Sequence, residues 1–460
     1  MASQPAQPDR RATLARRARR IRRNPARIVP LGFLTAIAVG TGVLLLPVAR
    51  AGPGGADPPT ALFTAASAVC VTGLTVVDTP AYWSPFGQGV ILALIQVGGF
   101  GIMTAATLLT LVVQHRLGLS DRLVAKLETK AAGIGDVRRV VVRIAGAVLI
   151  CEAVLITALS GRLWLGYDYP PGEALWHGTF QALSAFNNAG FATYSDSLMG
   201  FVSDWWINVP VMAGIVIGGM GFPVLFELLR RAGRPSRWSI HTRITVFGTA
   251  ALLVVGFAAT LALEWANPGT LGRLGGSDKV LAAMFHSVTS RTAGFNTVDT
   301  AALLPETWAV TDLLMFVGGG SAGTAGGIKV TTCFLLAFVV WSEIRGEREV
   351  VIGRRRVSSA TVRQALTVAS LGAALVTLGT ITLLMLTDEP LDRVLFESVS
   401  AFATVGLSTG VTADLPAAGQ LVLVVLMFVG RVGTITVASA LALRSSHRLY
   451  RYPEERPIVG

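Results

Sequence analysis

VTGLT at 71–75, NAGFA at 188–192, TAGFN at 292–296 and TVGLS at 404–408 are four renderings of one short string. Each sets a glycine before Leu or Phe and follows an apolar stretch too short to cross a bilayer; an aspartate comes after it, Asp78, Asp196, Asp299 or Asp414. The glycines recur roughly every hundred residues, the mark of one structural unit built four times. Units set around one axis bring such strings into a ring, and rings of backbone carbonyls at membrane depth select ions.

The rest of the composition agrees with a membrane setting. The chain is 52% hydrophobic and 14% charged, and its longer apolar runs reach the roughly 20 residues that a spanning helix needs. The fold class expected is an all-α integral membrane protein. Its three cysteines, Cys70, Cys151 and Cys333, form no CxxC pair, and its five histidines are scattered, which supports neither a disulfide framework nor a thiolate metal site. The net charge of +12 and the Arg-rich stretch at 10–23 fit cytoplasmic segments against anionic lipids better than a nucleic-acid partner. A basic start before the apolar run 28–47 imitates a secretory signal. That run is too long for a signal core of roughly 7–15 residues, so it reads as an uncleaved first span.

Read outward from the strings, the chain divides into a basic tail at 1–27, repeats at 28–115, 136–231, 240–342 and 361–445, and a tail at 446–460. Each repeat is expected to hold a full span, a re-entrant half-helix, the string and a second span. The first spans fall near 28–48, 137–159, 244–265 and 362–386, and the half-helices near 60–70, 173–186, 279–290 and 391–403. The second spans fall near 90–113, 206–229, 313–341 and 421–443. Charge tests the layout independently. The segments joining repeats carry Arg116, Arg122, Lys126, Lys130, Arg138 and Arg139, then Arg230, Arg231, Arg234 and Arg237, then Arg345, Arg348, Arg354, Arg355 and Arg356. Loops inside the repeats carry acids such as Asp168, Asp204, Glu264 and Asp388. The positive-inside rule therefore puts both termini and every connector in the cytoplasm of a multi-pass cell-membrane protein.

A dehydrated cation needs oxygen ligands, and main-chain carbonyls supply them without burying formal charge. The expected filter is Val71, Thr72 and Gly73 with Asn188, Ala189 and Gly190, Thr292, Ala293 and Gly294, and Thr404, Val405 and Gly406. The half-helices would aim their negative C-terminal ends at the pore, and the aspartates beyond the strings would gather cations at its mouth. With these strings and half-helices the chain resembles the Trk/Ktr/HKT superfamily of potassium transporters over nearly all its length after the basic tail. One span before the first string makes it most similar to the Ktr membrane subunit (KtrB type). The resemblance implies K⁺ uptake, sometimes coupled to or shared with Na⁺, no organic cofactor, a homodimer with one pore per protomer, and a cytosolic nucleotide-binding regulatory ring (KtrA/TrkA-like). The mixed residues Val71, Asn188, Thr292 and Thr404 leave the preference between K⁺ and Na⁺ open.

A second register follows in the second spans: VGGFG at 97–101, IGGMG at 217–221, VGGGS at 317–321 and VGRVG at 429–433. These glycines either bend the helices or let them pack closely. In repeat three the run GGGSAGTAGGIK, with Gly318, Gly319, Gly320, Ser321, Gly323, Gly326, Gly327 and Lys329, is too glycine-rich for a continuous helix. Unwound backbone at this depth belongs in protein or beside a watery cavity, so it reads as a plug beneath the filter, similar to the family's intramembrane gating loop. In repeat four Arg431 stands where Gly99, Gly219 and Gly319 do; it is expected to face the pore and hold the plug, with a salt bridge to Glu152 or Glu227 as the alternative. GGSAG at 319–323 matches a G-x-S-x-G nucleophile pattern, which would make Ser321 the centre of a membrane serine hydrolase with His286 or His177 as base. No strand–turn–helix context accompanies it, so an enzyme is not expected.

Overall fold

The computed structural model describes residues 25–115, 134–231, 233–347, 349–353 and 355–433. The Arg-rich start, the connector residues Arg116, Arg122, Lys126, Lys130, Arg348 and Arg354, and the end of the last span with the tail beyond it lie outside the described residues.

The expected unit appears four times. Repeat one runs through α1 (Pro25–Leu44), α2 (Pro58–Cys70) and α3 (Pro85–His115). Repeat two has α4 (Ile134–Gly166), α5 (Pro171–Asn187), α6 (Trp205–Met220) and α7 (Phe222–Arg231). Repeat three has α8 (Ile240–Glu264), α9 (Gly276–Thr289), α10 (Pro305–Phe316) and α11 (Val330–Ile344). Repeat four has α12 (Ser359–Leu384), α13 (Leu391–Ala403) and α14 (Ala417–Phe428), which runs into a π-helical turn at Val429–Gly433. Among the described residues Pro85–Ala106, Val141–Gly166, Ile240–Glu264 and Ser359–Leu384 are long and apolar enough to cross a membrane alone. Shorter apolar helices at Ile28–Leu44, Val330–Ile344 and Ala417–Gly433 occupy other expected spans.

The half-helices α2, α5, α9 and α13 form the core. Pro58 and Pro171 open two of them, using the position where a missing N–H costs nothing. Small side chains such as Ala61, Ala65, Ala66 and Ser67 let neighbours approach closely, and Phe63, Phe180, Phe285 and Phe396 fill the space behind, all fully buried. Each half-helix packs on the first span of its own repeat and on a span of the preceding one: α2 on α14, α5 on α3, α9 on α6 and α13 on α10. The contacts therefore close a four-fold cycle.

Both alternatives left open for the second-register glycines occur, and one element was not expected. The second span of repeat two is not one helix: α6 and α7 meet at Gly221 with a bend of 104°. The glycines of the second register do not bend α3, which is continuous through 97–101; Gly98, Gly218 and Gly430 are packing positions, where a Cβ would run into the carbonyl oxygens of Val69, Phe186 and Phe402 at the half-helix ends. A two-stranded hairpin, β1 (Val351–Ile352) against β2 (Arg355–Arg356), lies between repeats three and four.

Candidate functional site

The strings begin where the half-helices end. Val71, Asn188 and Thr404 close α2, α5 and α13 in left-handed conformations, φ 56°, 59° and 51°. Their N–H groups bond back to Ala68, Ala185 and Ala401, and the next N–H groups to Ser67, Ser184 and Ser400. This paired 5→2 and 6→1 pattern satisfies the last helical carbonyls. In repeat three the left-handed residue is Thr292, φ 80°, two residues further from its helix. Holding non-glycine residues in this region costs about 1–3 kcal/mol each, a load tolerated where surrounding structure enforces it.

The turn reverses the chain and sends the glycines to one place. Gly73, Gly190, Gly294 and Gly406 have φ of 91°, 72°, 78° and 97°. Side chains are excluded by contact as well as by backbone angle. A Cβ on Gly73 would stand 2.9 Å from the Cα of Gly190, one on Gly190 3.1 Å from Gly294, one on Gly294 3.0 Å from Gly406, and one on Gly406 3.1 Å from Gly73. The four repeats thus close a ring of main chain. The N–H groups of Gly73 and Gly406 turn back to the hydroxyls of Ser67 and Ser400, both at 3.1 Å. Leu74, Phe191, Phe295 and Leu407 wedge into the core behind, fully buried.

Above the ring lies a cavity of about 340 Å³, lined by all four glycines with Thr75, Asp78, Ser195 and Asp299 among others. Asp196 and Asp414, expected at this mouth, are exposed and do not line it. In repeat two a turn with Ser197 at φ 57° presents Ser195 and Ser197 instead, and the Ser195 hydroxyl donates to Asp78 at 2.6 Å. In repeat four a single helical turn, Val411–Asp414, carries the aspartate away. The acid that organises this repeat is Glu397, inside α13, which accepts from Ser408 and from the Thr409 N–H, both at 2.7 Å, and from Thr412 at 2.5 Å. Replacing Glu397 with Ala orphans those donors at about 1–3 kcal/mol each. The thermal midpoint of the purified protein is expected to fall sharply; an unchanged midpoint contradicts this anchoring role.

Beneath the ring the run at 318–329 forms a closed loop. Its ends are tied by a Val317–Ile328 bridge, by the Gly318 N–H to Ile328 at 2.8 Å and by the Val330 N–H to Gly319 at 3.1 Å. Its middle docks on the broken span of repeat two, where Gly320 and Thr324 donate to the carbonyls of Gly219 and Gly218 at 2.8 and 3.1 Å. Those carbonyls are free because α6 stops there, so the break and the loop satisfy each other. The Thr324 hydroxyl donates to Asn188 at 3.0 Å, and a Cβ on Gly326 would collide with the Thr404 hydroxyl. The loop therefore lies directly against the residues that open the strings. Arg431, 2% exposed, donates through Nη1 to the Thr324 carbonyl, and Lys329 Nζ donates to the Ala325 carbonyl at 2.5 Å.

The alternative partners of Arg431 are engaged elsewhere. Glu152 accepts from Gln96 and Asn187, and Glu227 from Ser239 and Thr242. The hydrolase constellation is not assembled either. Ser321 Oγ faces Thr331 at 3.2 Å, His286 faces Thr311 and His177 faces Thr193.

One residue at the site escaped the sequence reading. Arg291 immediately precedes Thr292, is 6% exposed, and donates to the carbonyls of Gly318 at 2.9 Å and Thr249 at 3.3 Å. Its signal was available: a cation at the end of an apolar half-helix, where the other repeats have Cys70, Asn187 and Ala403, is as costly at membrane depth as Arg431.

Comparison with known proteins agrees with this architecture. The family model of TrkH, a cation transport protein, matches residues 56–451. The chain is 38% identical over 440 residues to the Ktr system potassium uptake protein B of Bacillus subtilis, covering 96% of this chain and 98% of that protein. It is 36% identical to the protein of the same name from Vibrio alginolyticus, covering 94% of each. To the potassium/sodium uptake protein NtpJ of Enterococcus hirae it is 32% identical, covering 97% of this chain and all of that one. In fold it resembles the crystal structure of the potassium transporter TrkH from Vibrio parahaemolyticus, with a TM-score of 0.68 at 20% identity over 89% of this chain and 82% of that one. Four half-helices that deliver four glycines to one ring are thus found in a chain matched from its first half-helix onward, and this multi-pass membrane protein belongs to the TrkH family of cation transport proteins.

Proposed function

We propose that this protein takes up potassium across the cell membrane, passing the ion in single file between the four strings. The observation that carries the reading is the closed ring Gly73–Gly190–Gly294–Gly406, in which neighbouring repeats approach too closely for side chains; in this reading main-chain oxygens are the ligands. The Gly73 and Gly406 N–H groups turn back to Ser67 and Ser400, which supports an axis left to main-chain oxygens. The filter residues are Val71, Thr72, Gly73, Asn188, Ala189, Gly190, Thr292, Ala293, Gly294, Thr404, Val405 and Gly406. The relatives' names support K⁺ as cargo, and the potassium/sodium name of the Enterococcus hirae relative supports Na⁺ as a second permeant or coupled ion.

In this reading the loop at 318–329 is the gate in its closed position, and Arg431 both latches it and places a positive charge in the ion's path. The repeats are the units given by sequence, with both termini and the basic connectors cytoplasmic. The connectors would meet anionic lipids and a cytosolic nucleotide-binding ring, and the chain would work as a homodimer; the naming of relatives as part of a Ktr system supports a partner subunit.

Uptake of ⁸⁶Rb⁺ into vesicles holding the purified protein tests the reading. Saturable uptake that excess K⁺ displaces is the result expected, and vesicles no leakier than protein-free ones contradict it. The reversal potential in mixed K⁺ and Na⁺ then ranks the two ions. Ser321→Ala is expected to leave the flux within about twofold, since among the described residues its hydroxyl meets only Thr331; loss of uptake in that variant would instead favour a chemical role for the serine.

A further inference from the structure

Among the described residues Arg291 carries a formal charge into the interior without a carboxylate partner: its guanidinium donates to two main-chain carbonyls and its Nε has none. Burying an ion on main-chain carbonyls alone is unfavourable. A neutral residue here, as the other repeats have, would be cheaper. The position therefore needs what the charge does, and its contacts say what that is. Along the chain Arg291 adjoins Thr292, the first residue of the third string; in space it holds the carbonyl of Gly318, the first residue of the loop, and that of Thr249 inside α8.

The two ends of the loop differ. At the tip, Thr324 is held by Arg431 from repeat four and by the Gly218 carbonyl from repeat two. At the root, Gly318 is held by the Ile328 carbonyl and by Arg291, both of its own repeat. A loop that moves aside must give up the contacts made to other repeats, while contacts within its own repeat survive the motion.

We propose that Arg291 is a positioning residue that fixes the stationary root of the gating loop to the third filter string and to α8, so that only the tip moves. The inference rests on the reading of 318–329 as the gate. Without the charge-assisted hydrogen bond at Gly318 the root itself detaches about tenfold more often, and a tip carried on a detached root does not stay seated beneath the filter. A lysine in the same place still donates to one carbonyl and recovers part of the effect.

Hydrogen exchange and ion flux test this together, on the full-length protein and on Arg291→Met, Arg291→Gln and Arg291→Lys. The proposal expects amides at 318–330 to exchange about tenfold faster in the Met and Gln variants, with α8 and α12 unchanged and the Lys variant intermediate. It also expects ⁸⁶Rb⁺ leak to rise about tenfold in the Met variant, but not when residues 319–326 are deleted, because no gate is then left to position. That deletion joins residues already close together, since a Cβ on Gly318 would stand 3.5 Å from the Cα of Gly327. Unchanged loop exchange, faster exchange throughout the protein, or an equal rise in leak with and without the loop overturns the proposal. Faster loop exchange without ion flux in any variant, wild type included, leaves the anchoring intact and removes the uptake reading instead.

Discussion

Gly294→Ala is expected to abolish selective uptake, lowering the initial rate of K⁺-displaceable ⁸⁶Rb⁺ entry by about a hundredfold or more. The positive φ of 78° alone is insufficient reason, since Thr292 nearby tolerates 80°. Contact decides. The new methyl would stand 3.0 Å from the Cα and 3.2 Å from the carbonyl carbon of Gly406 and would collide with the Val405 oxygen. All three are backbone atoms of the neighbouring repeat, with no rotamer by which to yield, so the ring must open on that side. About 3 kcal/mol of strain and lost coordination suffices for a hundredfold effect. The flux that remains should discriminate less between K⁺ and Na⁺, which the mixed-ion reversal potential reads directly. Wild-type rate and reversal potential in this variant would mean that the ring is not the conducting element.

Arg431→Gln has the second largest expected effect, in the opposite direction. Its Nη1 holds the loop tip at Thr324, while Nε and Nη2 lack partners among the described residues. Removal acts twice. The loop loses its latch, worth about 1.5–3 kcal/mol for a hydrogen bond to a charged group. A cation passing within about 5 Å no longer meets a unit positive charge, which at an effective dielectric constant near 20 is worth about 3 kcal/mol. Together these predict a rise in ⁸⁶Rb⁺ flux of about a hundredfold or more without a partner subunit. The thermal midpoint should not fall, because a poorly compensated buried charge has been removed. Arg431→Lys, which keeps the charge but not the fork, should rise less. A fall in flux in a well-folded Gln variant would assign Arg431 to conduction rather than closure.

What was legible in the sequence was local. The half-helices could be placed because each ends in a string whose glycine and following Leu or Phe have fixed jobs: the glycine permits backbone contact, and Leu74, Phe191, Phe295 or Leu407 anchors it behind. The half-helix expected at 391–403 is observed as Leu391–Ala403, and the interruption of the second span in repeat three falls where glycines made a helix untenable. What was not legible depended on partners distant in the chain. IGGMG at 217–221 reads like VGGFG at 97–101, yet only the former ends a helix, because the N–H groups of Gly320 and Thr324 arrive to occupy the carbonyls that the break exposes. Likewise no local pattern marks Glu397, whose partners Ser408, Thr409 and Thr412 come to it only through the fold. Arg291 was a different case: the rule applied to Arg431 covers it equally, and its place beside the third string drew attention to the string instead.

Anomalous diffraction from crystals grown in Rb⁺ tests the central claim most directly. The account predicts a Rb⁺ peak on the axis between Gly73, Gly190, Gly294 and Gly406, within coordination distance of main-chain oxygens from all four repeats and absent when Rb⁺ is replaced by an impermeant cation. A conducting preparation whose only Rb⁺ peaks lie away from that ring would contradict it.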